Sequence, residues 1–191
     1  MRKVEFTLLC EDQQHATFLR RYLRRQGFNF RQFRILPCPA GSQSGEQWVR
    51  QSFPKEVRAQ RRRATHSRTA SLLVMIDADG HEEGFRHEQF DGALEASGQG
   101  ARGDEERIAI LVPRRNIESW LHFTTRGEID EVVDFKVRYR GDADACREAA
   151  KHAVEICRSR REGGEGASSP APPSLLRACR ELRRVTEVPK G

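Results

Sequence analysis

A chain of 191 residues has room for one domain of ordinary size, with a small appendage at most. Apolar residues make up 37% and charged residues 32%, wetter than an average globular chain but not so poor in apolar residues that it must be disordered. Lys and Arg number 34 against 28 Asp and Glu; no apolar run reaches the roughly 18–20 residues of a membrane span, and the apolar stretch after Met1 is too short for a signal peptide, so a cytoplasmic protein with no membrane partner is expected.

The first β-like run is Val4 to Cys10, and Glu11 and Asp12 follow it directly. Residues 13–26 place Phe18, Leu19, Tyr22 and Leu23 on one helical stripe, which Gly27 stops. A second strand is expected over Phe33 to Cys38, then a Gly/Ser loop over 39–47. That loop fits either a phosphate cradle at a helix start or an ordinary turn with Ser44 as helix cap. Residues 45–63 carry Trp48, Val49, Phe53 and Val57 at helical spacing, and Pro54 predicts an interruption or restart. Continuous apolar runs over Ser71 to Ile76 and Ile108 to Val112 suit strands covered on both faces. Between them, 82–95 predicts a helix burying Phe85, Phe90 and Leu94, and 96–106 is a Gly-rich polar loop. A helix over 114–123 presents Ile117, Trp120 and Leu121. Beyond it, 143–160 predicts a helix, 162–173 a flexible Gly/Ser/Pro linker, and 174–185 a basic amphipathic helix that docks on the core or on a partner through Leu175, Ala178, Cys179 and Leu182. Strand and helix alternate four times, which predicts an α/β domain with a mainly parallel four-stranded sheet. The division expected is an α/β domain over 1–125, a helical extension over 126–161, the linker over 162–173 and the C-terminal helix over 174–185.

The five cysteines (Cys10, Cys38, Cys146, Cys157 and Cys179) are odd in number, and no two stand at CxxC spacing. Free thiols are therefore expected, without a zinc ribbon or a disulfide framework. The basic excess is almost all arginine, 29 Arg against 5 Lys. Arginine suits phosphate, but a GC-rich genome also writes it by default. Lys55 with Arg61, Arg62 and Arg63 fits either a grip on a nucleic-acid backbone or a solvated charged face.

The informative residues lie just past the predicted strands: Glu11 and Asp12 after the first, Asp77 and Asp79 after the third, Arg114, Arg115 and Glu118 after the fourth. In an open parallel sheet the strand C-termini share one edge, where ligands bind. Residues i and i+2 of an extended chain project to one side, so Asp77 and Asp79 can face one ion. Mg²⁺ takes one or two carboxylates together with waters and phosphate oxygens, and such ions promote phosphodiester hydrolysis. Each residue also has a plainer reading. Asp12, Asp77 or Asp79 can cap a helix, Glu118 can pair with Arg115, and His15 and His81 can simply pack beside the site.

A Glu after the first strand (LLCEDQQHATFL) and a DxD after a later one (LLVMIDADGH) resemble the signature of the Toprim superfamily, the catalytic domain of topoisomerases, bacterial primases and OLD-type nucleases. VPRRNIESWL at 112–121 looks like the strand–helix junction of small prokaryotic Toprim or OLD-like proteins, many encoded with ATPases of antiviral defence systems. The likeness spans about residues 3–123. It implies a Toprim-like, Rossmann-like sheet flanked by helices, and a Mg²⁺- or Mn²⁺-dependent nuclease acting on DNA or RNA beside an ATPase partner. Glu11, Asp77 and Asp79 would then hold the metal, Glu118 would complete the shell or position water, and Arg115 would stabilise the transition state. Arg114 with Lys55 and Arg61–Arg63 would bind nucleic acid, and Asp12, His15 and His81 would stand behind the metal ligands. The alternative is an inactive Toprim-like assembly or regulatory subunit that binds an ATPase or nucleic acid.

Overall fold

A computed structural model describes residues 5–36, 38, 44–128, 130–161 and 171–187. Four strands, β1 (Phe6–Cys10), β2 (Phe33–Ile35), β3 (Ser71–Met75) and β4 (Ile108–Leu111), form one sheet in the order β2-β1-β3-β4. Every pairing is parallel, with Phe6 opposite both Phe33 and Ser71, and Leu72 opposite Ile108. The helices are α1 (Gln13–Arg25), α2 (Gly45–Ala64), α3 (Glu83–Ala96), α4 (Ile117–Arg126), α5 (Lys136–Tyr139), α6 (Ala143–Arg161) and α7 (Pro173–Thr186). No helix among the described residues is long and apolar enough to cross a membrane.

The two-residue period of a strand divides the core into two layers. Phe6, Leu8, Cys10, Leu73, Met75, Ala109 and Leu111 face α1, α4, α6 and α7. Leu9, Leu72, Val74, Ile76, Ile108 and Ile110 face α2 and α3. Covering on both faces explains why β3 and β4 read as unbroken apolar runs.

Three local expectations are corrected. The helix over 45–63 does not break: α2 runs through Pro54. Proline removes the hydrogen bond to the carbonyl four residues back, here that of exposed Arg50, where water can replace it. The Pro54 carbonyl itself accepts from Gln99 Nε2 at 2.8 Å. Phe85 is 39% exposed instead of buried, whereas Phe90 and Leu94 enter the core. Cys157 and Cys179 are not free thiols but a disulfide, because α6 and α7 pack together and bring their Cα atoms to 5.1 Å. Local spacing carries no trace of a pair 22 residues apart. Cys10 and Cys146 are buried thiols, as expected.

The α7 helix is core, not appendage. Leu175, Ala178, Cys179, Leu182 and Val185 are buried with α1, α4 and α6. Glu181 Oε2 accepts the Ile110 backbone N–H at 2.8 Å, which satisfies a donor on edge strand β4. Trp120 Nε1 donates to Ser174 Oγ at 2.7 Å. Most of the expected linker, 162–170, lies outside the described residues.

Candidate active site

The connection β1–α1–β2 runs to one side of β1, and the chain then crosses by α2 to β3 and β4 on the other side. Strand order therefore reverses between β1 and β3, and the loops leaving their carboxyl ends diverge to opposite faces, opening a crevice. Glu11 leaves β1 into this crevice, and Asp77 and Asp79 leave β3 into it. Glu11 Oε2 accepts the backbone N–H of Asp77 at 3.0 Å, so the two predicted acidic segments meet. The start of α2 closes over the same point: a Cβ on Gly45 would stand 2.1 Å from the Glu11 carbonyl oxygen, an approach only glycine allows. Ser44 caps this helix, accepting from Gln47 N at 3.2 Å, as the plainer reading of the loop required; residues 39–43 lie outside the described residues.

Asp77 is 1% exposed and His15 fully buried, and His15 Nε2 lies 2.9 Å from Asp77 Oδ1. The other ring nitrogen lies 3.2 Å from Asp12 Oδ1, and Asp12 also caps α1 by accepting from His15 N at 2.9 Å. Burial opposes charge on His15, but the flanking carboxylates of Asp77 and Asp12 outweigh it and hold the imidazolium well above the ordinary histidine range. Asp12 moves the opposite way. Burial disfavours its charge, and the hydrogen bonds and charge of His15 more than compensate, keeping it below the ordinary carboxylate range.

Glu11 rises to about 7, first through burial and then through repulsion from Asp77. Glu118 is 4% exposed, and its Oε2 has no hydrogen-bond partner among the described residues. Burial, only partly offset by its own backbone N–H, and then the Asp77 charge push it upward as well. It does not pair with Arg115, whose Nη1 donates to the Asp79 carbonyl at 3.1 Å and whose Nη2 lies 3.7 Å from Asp134 Oδ2.

Asp79 (φ 53°) and Gly80 (φ 85°) both take the left-handed conformation, which turns the chain sharply behind the acidic pair. A Cβ on Gly80 would stand 2.8 Å from Arg115 Nη1. Three residues absent from the expected set complete the cluster. Arg86, 4% exposed on α3, donates to the Asp77 carbonyl at 2.9 Å, to Asp79 Oδ2 at 3.1 Å and to Glu46 Oε1 at 2.6 Å. Lys136 Nζ, at the start of α5, lies 3.7 Å from Asp77 Oδ2 and 3.9 Å from Asp79 Oδ1. Burial opposes its charge, but Asp77, Asp79, Glu11 and Glu118 outweigh it and hold the ammonium above the ordinary lysine range. Asp134 sets its position by accepting the Lys136 backbone N–H at 2.9 Å and Asn116 Nδ2 at 2.8 Å.

The other expected residues lie apart from this cluster. His81 is exposed and packs on Phe85, with ring centroids 4.7 Å apart, so it does not stand behind the acidic pair. Arg114 pairs with Glu82 at 3.1 Å. Lys55 is exposed on α2. The arginines at the end of α2 sit at the opposite edge of the sheet. Arg61 forks onto Glu106 at 2.6 and 2.9 Å, Arg63 Nη1 donates to Thr7 Oγ1 at 2.6 Å, and Arg62 is exposed.

The donors around the crevice are carboxylate oxygens, the chemistry of a hard divalent cation. The mutual repulsion of Glu11, Asp77 and Glu118 and the unpartnered buried oxygen of Glu118 suit such an ion. Against it, among the described residues no three His, Cys, Asp or Glu side chains already stand in coordinating geometry, and Lys136 and Arg86 share the oxygens of Asp77 and Asp79. No protein-family model, curated protein or solved structure matches the chain.

Proposed function

We propose that the chain is a Toprim-type nuclease that hydrolyses phosphodiesters of DNA or RNA with Mg²⁺ or Mn²⁺ and works beside an ATPase partner. The observation that carries this reading is the meeting of Glu11 with the Asp77 segment at the strand-order reversal, beside a buried Glu118 carboxylate oxygen with no partner among the described residues. Glu11, Asp77 and Asp79 would hold the ion, and Glu118 would complete its shell or orient a water. The ion supplies a water of lowered pKa and a counter-charge for the leaving oxygen. His15 holds the Asp77 carboxylate fixed in rotation. Arg115 and Lys136, half-exposed at the rim, face an incoming phosphate and stabilise the charge that grows on its oxygens.

The purified chain, incubated with labelled DNA and RNA and either metal, is expected to cleave one of them. Asp77→Asn is expected to reduce the rate at least about a hundredfold, since even changes behind a metal ligand cost about 10–100-fold. Cleavage that survives Asp77→Asn unchanged would overturn the assignment.

One observation favours a second reading, in which the domain is an inactive assembly or regulatory subunit. Lys136 and Arg86 already neutralise Asp77 and Asp79, so the cluster can stand as a closed polar network without an ion. Lys136→Ala separates the two. The nuclease reading expects the variant to bind Mn²⁺ more tightly by calorimetry, because a competing cation is gone. The network reading expects no Mn²⁺ binding by either protein and no cleavage.

A further inference from the structure

At the end of the sheet remote from the carboxylates, β2 is an edge strand, and Arg34 on it shares a hollow with the last turns of α2. Phe33 and Ile35 pack towards the α1 layer, so Arg34 between them projects to the α2 side. This hollow, of about 600 Å³, is lined by Arg34, Ala59, Arg62, Arg63, His66, Ser67 and Ala70. Among the described residues the lining holds three arginines and a histidine but no carboxylate.

Such a collection needs an explanation, because it gathers arginines from two elements around one hollow, whereas Arg61, Arg86, Arg102 and Arg184 are paired with carboxylates or carbonyls. The side chains of Arg34, Arg62 and His66 have no hydrogen bond or ion pair among the described residues. Arg63 is anchored by Thr7 Oγ1 at 2.6 Å and Gln60 Oε1 at 3.0 Å, while its buried Nε has no partner among the described residues. Its charge is disfavoured by burial and by neighbouring Arg34, and only Glu56, which does not line the hollow, offsets this. Placement at the last turn of α2 accounts for one or two cations through the helix dipole. It does not account for Arg34, which comes from a different element.

We propose that this hollow binds a phosphate group, at a site separate from the acidic crevice. Arg63 is held rigidly at its base, and Arg34 and Arg62 are exposed forks that close on the anion from two sides. Planar guanidinium groups lining one hollow offer the paired N–H donors that match phosphate oxygens. The phosphate can belong to a nucleic-acid backbone or to a small phosphorylated molecule; the recognition chemistry is the same. The site does not depend on the hydrolytic reading, since none of its residues touches Glu11, Asp77, Asp79 or Glu118.

The test uses the full chain in EDTA, so that metal at the carboxylates makes no contribution. Binding of a fluorescent single-stranded oligonucleotide, and separately of inorganic pyrophosphate, is measured for wild type, the double variant Arg34→Ala/Arg62→Ala, and Arg24→Ala. Arg24 is an exposed arginine on α1 that controls for net charge. Both exchanged residues in the double variant are exposed, and circular dichroism checks that it folds. The double variant is expected to bind at least about tenfold more weakly, as removal of charge-assisted hydrogen bonds implies, while Arg24→Ala binds as wild type. If the ligand is a polynucleotide strand, the salt slope of oligonucleotide binding also falls by about 0.7 for each phosphate no longer neutralised. If it is a small molecule, the weakening is equally large for pyrophosphate. Wild type that binds neither probe, equal binding by all three proteins, or an equal weakening from Arg24→Ala would overturn the proposal.

Discussion

At the carboxyl edge of the sheet, Asp77 and Asp79 meet His15 from α1, Lys136 from α5 and Arg86 from α3. At the amino edge, Arg34, Arg62 and His66 meet no carboxylate among the described residues. Both edges concentrate charge of one sign, but among the described residues only one is supplied with the opposite sign. The acidic edge is knitted to the fold, so changing it threatens stability as well as chemistry. The basic edge is added to a finished fold, so changing it threatens binding alone. A mutation series can therefore tell the two apart by which property suffers.

The largest effect is expected from Asp77→Ala. It leaves His15 fully buried beside one carboxylate instead of two. Breaking a buried pair by removing one partner costs about 3–5 kcal/mol, and a chemical-denaturation midpoint measures it. Asp77→Asn keeps the shape and a hydrogen-bond acceptor, and should lose clearly less. If both variants denature with wild type, the acidic edge is not built into the fold and the contrast fails.

Gly45→Ala should come next. The added methyl meets the Glu11 backbone and its Cγ, at 2.1 and 2.8 Å, so either α2 or the rim of β1 must shift. Forced overpacking costs about 1–3 kcal/mol. Since Glu11 is the residue displaced, metal affinity should fall together with stability. No comparable backbone approach exists among the described residues of the arginine hollow, where Arg62→Ala is expected to leave the denaturation midpoint within about 0.5 kcal/mol of wild type.

Acidity sharpens the contrast further. Glu11 has a folded value of about 7 against an ordinary value near 4.5. The folded protein thus holds this proton more tightly than the unfolded chain, and stability falls as pH rises across that window. His15 acts with the same sign: its contribution is complete below its ordinary value and is lost as pH rises through its higher folded value. Asp12 has the opposite sign, with a depressed folded value, and its contribution is lost only on strong acidification. Metal-free protein should therefore be more stable near about pH 5 than near about pH 8, the reverse of ordinary acid denaturation. Urea midpoints at the two pH values check this, and saturating Mg²⁺ should shrink the difference by favouring ionised Glu11. A midpoint that climbs with pH would show that the acidic edge carries its charge without penalty.

How far each edge was legible in the sequence follows from the range of its interactions. Glu11, Asp77 and Asp79 could be placed together because strand ends are marked by apolar runs and parallel topology does the rest. His15 and Glu118 lie within two turns of those ends. Lys136 could not be found: it opens a four-residue helix with no periodic pattern, and reaches Asp77 only because Asp134 and Asn116 fold the intervening loop back. Arg86 sits on α3, where nothing in its spacing distinguishes it from a solvated arginine. The Arg61–Arg63 run was visible as charge, but its division into a Glu106 partner, an exposed fork and a Thr7 anchor depends on which way α2 faces. Arg34 was hidden in a strand of three residues.

The smallest expected effect has the opposite sign to the others. Arg34 and Arg63 repel one another across the hollow, and Arg63 is held below the ordinary arginine range, by burial first and then in part by this repulsion. Arg34→Ala removes the repulsion while exposing no buried surface, because Arg34 lies outside both core layers. Like-charge neighbours cost a few tenths of a kcal/mol, so this variant should unfold slightly later than wild type, by an amount that added salt erases. The same change should weaken phosphate binding. A substitution that stabilises the fold while impairing a ligand is what a site held in an unfavourable charge state for function should give. If Arg34→Ala instead lowers stability, the arginine is holding the fold together, and the amino edge behaves like the carboxyl edge after all.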